Sequence, residues 1–310
     1  MTSVDVKQIW TTAIETMQAF GPFYRDEMLK AIEDSGLENR WFPLHLARGI
    51  EPEPLSVKRY YALGPYPNIE TRVAILEELA ETAYMDKVGE DAYRVTEPGK
   101  ALVEGIFEAA HISLGKVSFL ADEEMAEIAA LLKKLVKAVE AGAEPPAKWP
   151  LEHSRATDPG EGSSYASQID QYLTDLYFFR EGAHIAAWEP YGVAGYVWET
   201  LTFLWNEEEE ANTGAALAER LQGRGYTEED YAQALEKLVE MGWAEAVKDG
   251  YQITEQGRRI RDEGEAETDR ICFSSWDGLS EAEQAKLYTL LTRLKAKLGE
   301  LTEEKEAQAV

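Results

Sequence analysis

Two stretches lying 158 positions apart carry the same pattern, and a chain that repeats itself over so long a period is built from two related units. Tyr93-Arg94-Val95-Thr96-Glu97-Pro98-Gly99-Lys100 matches Tyr251-Gln252-Ile253-Thr254-Glu255-Gln256-Gly257-Arg258. Upstream, Leu76, Leu79 and Tyr84 match Leu235, Leu238 and Trp243, and the connection Lys87-Val88-Gly89-Glu90-Asp91-Ala92 is slightly longer than its counterpart. Downstream, Asp122-Glu123-Glu124 opens a helix where Ser280-Glu281-Ala282-Glu283 does. In the second copy Tyr231, Leu235, Leu238 and Val239 recur at helical spacing, with Thr227 as N-cap and Gly242 closing the end. Trp243-Ala244-Glu245-Ala246-Val247 and Tyr251-Gln252-Ile253-Thr254 predict short strands joined at Lys248-Asp249-Gly250, an Asp-Gly hairpin signal. Thr254-Glu255 then caps a long charged helix.

Helix, β-ribbon, helix is the back half of a winged helix. The pattern therefore predicts a mainly α chain with small β-ribbons: two winged helix-turn-helix domains related by internal duplication. Their boundaries fall at 1–143 and 165–310, joined by a linker at 144–164 that is rich in Pro, Gly, Ser and charge. Helices are predicted at 4–33, bent at Gly21-Pro22, and at 40–49, 56–63, 68–82, 98–119 and 122–141. In the second half they fall at 165–188, 193–205, 214–221 and 280–301, with a frayed tail at 302–310. Gly223-Arg224-Gly225-Tyr226 makes the turn of the second helix-turn-helix. Duplication in one chain mimics a homodimer, so the long helices of the two halves are expected to pack together. The chain would then act as a monomeric pseudo-dimer, or as a homodimer.

The stretch Gly-Trp-x5-Asp-Gly-Tyr-x-Ile-Thr-Glu-x-Gly-Arg, residues 242–258, resembles the wing of MarR-type regulators. Ala183-His184-Ile185-Ala186-Ala187-Trp188, Glu267-Thr268-Asp269-Arg270 and Ser275-Trp276-x-x-Leu279 resemble the SalK-like tandem winged-helix proteins, over about the last 140 residues and more loosely before them. The resemblance implies descent from ligand-responsive transcriptional regulators, with ligands bound between the winged and dimerisation helices. The ketoreductase label attached to SalK would need a nucleotide-binding fold, and no Gly-x-Gly-x-x-Gly follows a strand here.

Charge argues against nucleic acid. Among 310 residues, 31 basic side chains face 58 acidic ones, for a net charge of −27, which opposes approach to any polyanion. The predicted second recognition helix offers Glu228, Glu229, Asp230, Gln233, Glu236, Lys237 and Glu240. The first offers Glu70, Arg72, Glu77, Glu78 and Glu81. At about 1 kcal/mol per like-charge pair 4 Å apart in water, a few such repulsions cancel non-specific affinity. If DNA is bound, Arg72, Lys87, Arg94, Lys248, Arg258 and Arg259 are the residues to carry it. A basic strip joining them would favour a DNA-binding regulator.

No run of 18 apolar residues exists, so no membrane partner is expected. The single Cys272 permits no internal disulfide and suits a reducing cytoplasm. His45, His111, His153 and His184 lie far apart, without a His-Glu-x-x-His, a Cys pair or a Gly-x-Ser-x-Gly elbow. Neither cofactor nor metal is expected. The remaining function is non-catalytic binding of a small molecule or a protein partner, with an enzyme carrying an aromatic-lined pocket between the halves as the further alternative. Arg180, His184 and Trp188 in one half, and Trp41, His45 and Arg48 in the other, are the candidate ligand residues. In each half an arginine and a histidine share a helical face beside aromatic walls, where they could orient an anionic or carbonyl group.

Overall fold

The Thr-Glu-x-Gly motif plays the same part in both copies. Thr96 Oγ1 accepts from the Gly99 N–H (3.2 Å) and donates to Ala83 O (2.6 Å), and Thr254 Oγ1 accepts from Gly257 (3.0 Å) and donates to Gly242 O (2.6 Å). One hydroxyl thus caps the following helix and ties it to the turn before the hairpin. The glycines answer a second constraint. A Cβ on Gly99 would lie 2.2 Å from Tyr84 O, and one on Gly257 2.0 Å from Trp243 O, so only glycine lets helix and strand backbones approach this closely.

The computed structural model describes residues 4–37, 40–207 and 211–309; residues 1–3, 38–39, 208–210 and 310 lie outside it. The acidic run 207–210 is therefore described at Glu207 alone. The chain is mainly helical. Its first half contains α1 (Val6–Phe20), α2 (Arg25–Ser35), α3 (Phe42–Gly49), α4 (Val57–Ala62) and α5 (Ile69–Ala80). The antiparallel strands β1 (Met85–Gly89) and β2 (Ala92–Val95) follow, then α6 (Glu97–Gly115) and α7 (Asp122–Ala141). After α8 (Trp149–Arg155), the second half runs α9 (Tyr165–Trp188), α10 (Gly195–Trp205), α11 (Gly214–Arg220), α12 (Glu228–Glu240), β3 (Ala244–Val247), β4 (Gly250–Ile253), α13 (Glu255–Phe273) and α14 (Glu281–Ala309). A third chain segment touches each ribbon: Leu55 and Tyr93 exchange both backbone hydrogen bonds, and the Tyr251 N–H reaches Asn212 O at 3.0 Å. The longer first hairpin appears as a register shift between Lys87 and Gly89, which leaves Val88 as the extra residue.

Three apolar clusters organise these elements. One lies within α3–α6, centred on Leu44, Leu55, Leu76, Leu79 and Tyr93. Its counterpart within α10–α12 and β3 is centred on Trp198, Leu201, Leu217, Tyr231, Leu235 and Leu238. The third belongs to both halves. Ile9 and Phe20 of α1, Ile128, Leu132 and Leu135 of α7, Ile169 and Leu173 of α9, and Leu287, Leu291 and Leu294 of α14 bury one another. The first helix of each half packs on the last helix of the other: α1 on α14, and α9 on α7.

The segment 144–164, expected as a linker, carries α8, whose Pro150, Leu151, His153 and Ser154 are buried against α9. There Ser154 Oγ (2.6 Å) and Gln171 Nε2 (2.7 Å) donate to Asp175 Oδ1, and Arg155 Nη1 donates to Oδ2 (2.7 Å). A buried carboxylate satisfied this way fixes the segment in place. The tail is helical as well, since α14 continues to Ala309. Among the described residues no helix is long and apolar enough to cross a membrane.

Replacing either motif glycine should be costly. Gly99→Ala and Gly257→Ala are each expected to lose about 2 kcal/mol or more, because a backbone carbonyl must give way. Gly105→Ala, on the exposed face of α6 with open space around it, is expected to be neutral or to gain up to about 1 kcal/mol. Urea denaturation of the three variants checks this; equal effects would remove close approach as the reason for the motif.

Candidate functional site

Arg180 and His184 sit one turn apart on α9 and border a cavity of about 270 Å³. From α10 come Trp198, Glu199 and Thr202, from α13 Arg261 and Glu265, and Tyr66 reaches across from the first half. Trp188 lies just behind, its indole N–H 3.3 Å from the Tyr66 hydroxyl and its ring stacked on Trp198 at 5.9 Å.

Arg261 is the centre of the arrangement. It is only 4 % exposed, with its guanidinium 5.1 Å from the Trp198 ring and 4.8 Å from that of Trp205. It donates to Thr202 Oγ1 at 3.0 Å and to Glu265 Oε1 at 2.6 Å. Burial by itself would raise the Glu265 pKa, but Arg261 outweighs it, helped by His184 and Arg180, and holds the carboxyl below its usual range. Arg180 meets the other Glu265 oxygen at 3.0 Å and Asp269 at 3.6 Å.

The His184 tautomer follows from its neighbour. Thr268 Oγ1 donates to Gly264 O at 2.8 Å, which commits its only proton, so in the 3.2 Å contact His184 Nδ1 is the donor. Burial pushes the ring pKa down, Arg261 and Arg180 add to that, and Glu265 opposes it. The ring is neutral at pH 7, with Nε2 left as an acceptor.

The repeat itself marks these positions. With the 158-residue offset of the two motifs, Arg261, Gly264, Glu265 and Thr268 of α13 correspond to Val103, Ile106, Phe107 and Ala110 of α6. Val103 and Ile106 are fully buried, so the first copy is held together by apolar residues where the second places polar ones. This signal was available in sequence, but Arg261, Glu265, Glu181 and Tyr66 were not among the expected site residues.

The first-half candidates are placed differently. His45 is 4 % exposed and packed among Trp41, Phe42 and Phe107, while Arg48 donates to Ala156 O (2.6 Å) and Glu104 (2.9 Å). Nor do the DNA candidates form a strip of free cations. Arg72 lies over the Tyr60 ring at 4.1 Å, Lys87 is paired with Glu77 (2.5 Å), Arg258 with Glu207 (2.6 Å) and Arg259 with Glu263 (4.0 Å). Arg94 and Lys248 are exposed without an ion pair among the described residues.

The halves also meet at the start of α5 and the α11–α12 turn. The Asn68 N–H, at the start of α5, donates to Arg224 O at 2.7 Å in the α11–α12 turn. A Cβ on Gly225 would lie 2.1 Å from Thr71 Oγ1, and one on Gly195 1.9 Å from Pro65 O. Tyr226 of the same turn stacks on Tyr196 at 4.3 Å.

Residues 161–302 match a helix-turn-helix family. The matched span holds α9 to α13 and most of α14, and so includes every lining side chain of the cavity except that of Tyr66. No curated protein and no solved structure matches the chain.

Buried imidazoles make the first half sensitive to acid. His153 Nδ1 and Nε2 and His45 Nδ1 are enclosed without a hydrogen-bond partner. Burial pushes His45 down to about 3, aided by His153 and Arg48, and His153 down to about 4, aided by Arg59. The unfolded chain therefore binds more protons below pH 6.5. The stability these neutral rings contribute is complete above that value and is lost as pH falls toward 4, at up to about 1.4 kcal/mol per pH unit for each ring. His153→Gln should flatten the pH dependence of urea denaturation between pH 6.5 and 4.5 relative to the wild type. Parallel curves would refute the assignment.

Proposed function

We propose that this chain is a non-catalytic, regulator-like helix-turn-helix protein. It consists of two winged units descended by duplication from a MarR-like ancestor, and it responds to a small molecule in the cavity at their junction. The helix-turn-helix match over 161–302 supports the class. Equivalent motifs at Thr96 and Thr254, the repeated element order and the reciprocal packing of α1 on α14 and α9 on α7 support the duplication.

The observation that carries the reading is the contact between the start of α5 and the α11–α12 turn. A helix-turn-helix presents its second helix to the major groove. Here the first turn of α5 is held against the other half, beside the cavity. The exposed side chains of α12 include Glu228, Glu229, Glu236 and Glu240, and those of α5 include Glu70 and Glu78, which repel phosphate. Against catalysis, burial pushes the Cys272 thiol up to about 12, which leaves it un-ionised, and Arg180 and Arg261 are both ion-paired to Glu265.

Direct DNA reading is the second interpretation, favoured by the family match and by the free Arg94 and Lys248. The two separate in a mobility-shift assay with the gene's own upstream region in low salt. We expect no retarded band at about 10 µM protein, where basic winged helices bind even non-specific duplex. A retarded band lost in an Arg94→Glu, Lys248→Glu double variant would establish the DNA-binding regulator instead.

A further inference from the structure

We infer that the junction cavity takes a small organic cation, an amine whose charge lies against Glu181 and whose neighbouring oxygen accepts from the Trp198 indole. This deepens the ligand-responsive reading above and rests on it. An inventory of charge carries the argument. Of the cations at the cavity, Arg180 is held by Glu265 (3.0 Å) and Asp269 (3.6 Å), and Arg261 by Glu265 (2.6 Å). Glu199 is already bonded twice by Arg224, at 2.6 and 3.2 Å. His184 is neutral. That leaves the Glu181 carboxylate, partly buried at the cavity wall, with neither ion pair nor hydrogen bond among the described residues. An entering anion would find both guanidiniums already bound to carboxylates, with only the enclosed Arg180 Nε unpartnered, and one unpaired carboxylate beside it. A cation would give Glu181 the direct partner that the nearby Arg180 charge does not.

Trp198 supplies an independent observation. Its side chain is fully buried at the cavity, and its indole N–H is enclosed with no acceptor. Buried donors are nearly always satisfied, so an oxygen beside the ligand's charge would complete the site. Tyr66 and Trp198 add aromatic walls, each already facing a guanidinium, Arg224 at 5.6 Å and Arg261 at 5.1 Å. The volume, about 270 Å³, lies at the small end of ligand sites and suits one ring with a short chain. The first copy builds its core with Val103 and Phe107 at the places of Arg261 and Glu265, so folding alone does not require the charges of the second.

The test titrates the full-length protein at pH 7.5 with 2-amino-1-phenylethanol and with its anionic counterpart mandelate, read by tryptophan fluorescence and calorimetry. The amine should bind saturably at one site, at least tenfold more weakly in Glu181→Gln, while mandelate shows no saturation. Should that variant lose its helical circular dichroism, the wild type carries the test. Amine affinity must then fall as pH is lowered through the titration of the carboxyl, which burial shifts upward from its usual range. Mandelate binding without amine binding would overturn the ligand class and leave the ligand-responsive reading standing. Amine affinity unchanged by the substitution, or by pH, would overturn the placement at Glu181. Binding of neither probe would overturn both readings.

Discussion

The first and last helices of each half bury apolar faces against the other half, and the rest of the structure depends on that exchange. The apolar faces of α1 and α14, and of α7 and α9, are matched across the halves. Burial at about 25 cal/mol per Å² rewards this exchange strongly, and it sets where each helix-turn-helix unit can lie. The two smaller cores are local to α3–α6 and to α10–β3, so the units are separately packed bodies held on one shared bundle. Their approach at Asn68 and Arg224, and the cavity beside it, follow from the bundle geometry.

The second half is polar at positions whose counterparts in the first, at the same 158-residue offset, are apolar. Arg261 sits between two indole rings and shares Glu265 with Arg180, with His184 0.6 Å beyond Arg180's distance, at 3.6 Å from the same carboxylate. Buried charge of this kind seldom adds stability over an apolar replacement, and Val103 and Phe107 show such a replacement in the same scaffold. The matching motifs of the two halves offer this comparison internally. One half states what packing needs, and the departures of the other show what packing does not explain.

Acidity is distributed in a way that bears on descent. Helix-turn-helix elements that read DNA place cations around the second helix. Here most cations near the wings are paired with carboxylates, as Lys87 is with Glu77 and Arg258 with Glu207. Glu77 also accepts from the Tyr93 hydroxyl at 2.7 Å, so a charge that reads as part of a recognition surface serves to tie α5 to the hairpin.

The sequence by itself determined the parts governed by near neighbours. Thr96, Thr254 and Thr227 cap their helices, Asp249-Gly250 turns the second hairpin, Gly21-Pro22 breaks the first helix, and the 158-residue offset repeats all but one residue of the hairpin spacing. These are contacts over a few residues, and residue type is enough to specify them. Arg180 and His184 were legible as neighbours because they share one helix face, and both border the cavity. Only the tertiary structure decided that Tyr66 closes the cavity from the other half, that Arg261 is buried between two indole rings, and that α8 packs on α9 through Asp175. Each depends on which partner a charge or ring finds across the fold. Pairing with Glu265 turns Arg180 from a free cation into an ion-paired one and leaves Glu181 without a direct partner, and no spacing rule carries information about a partner 85 residues away.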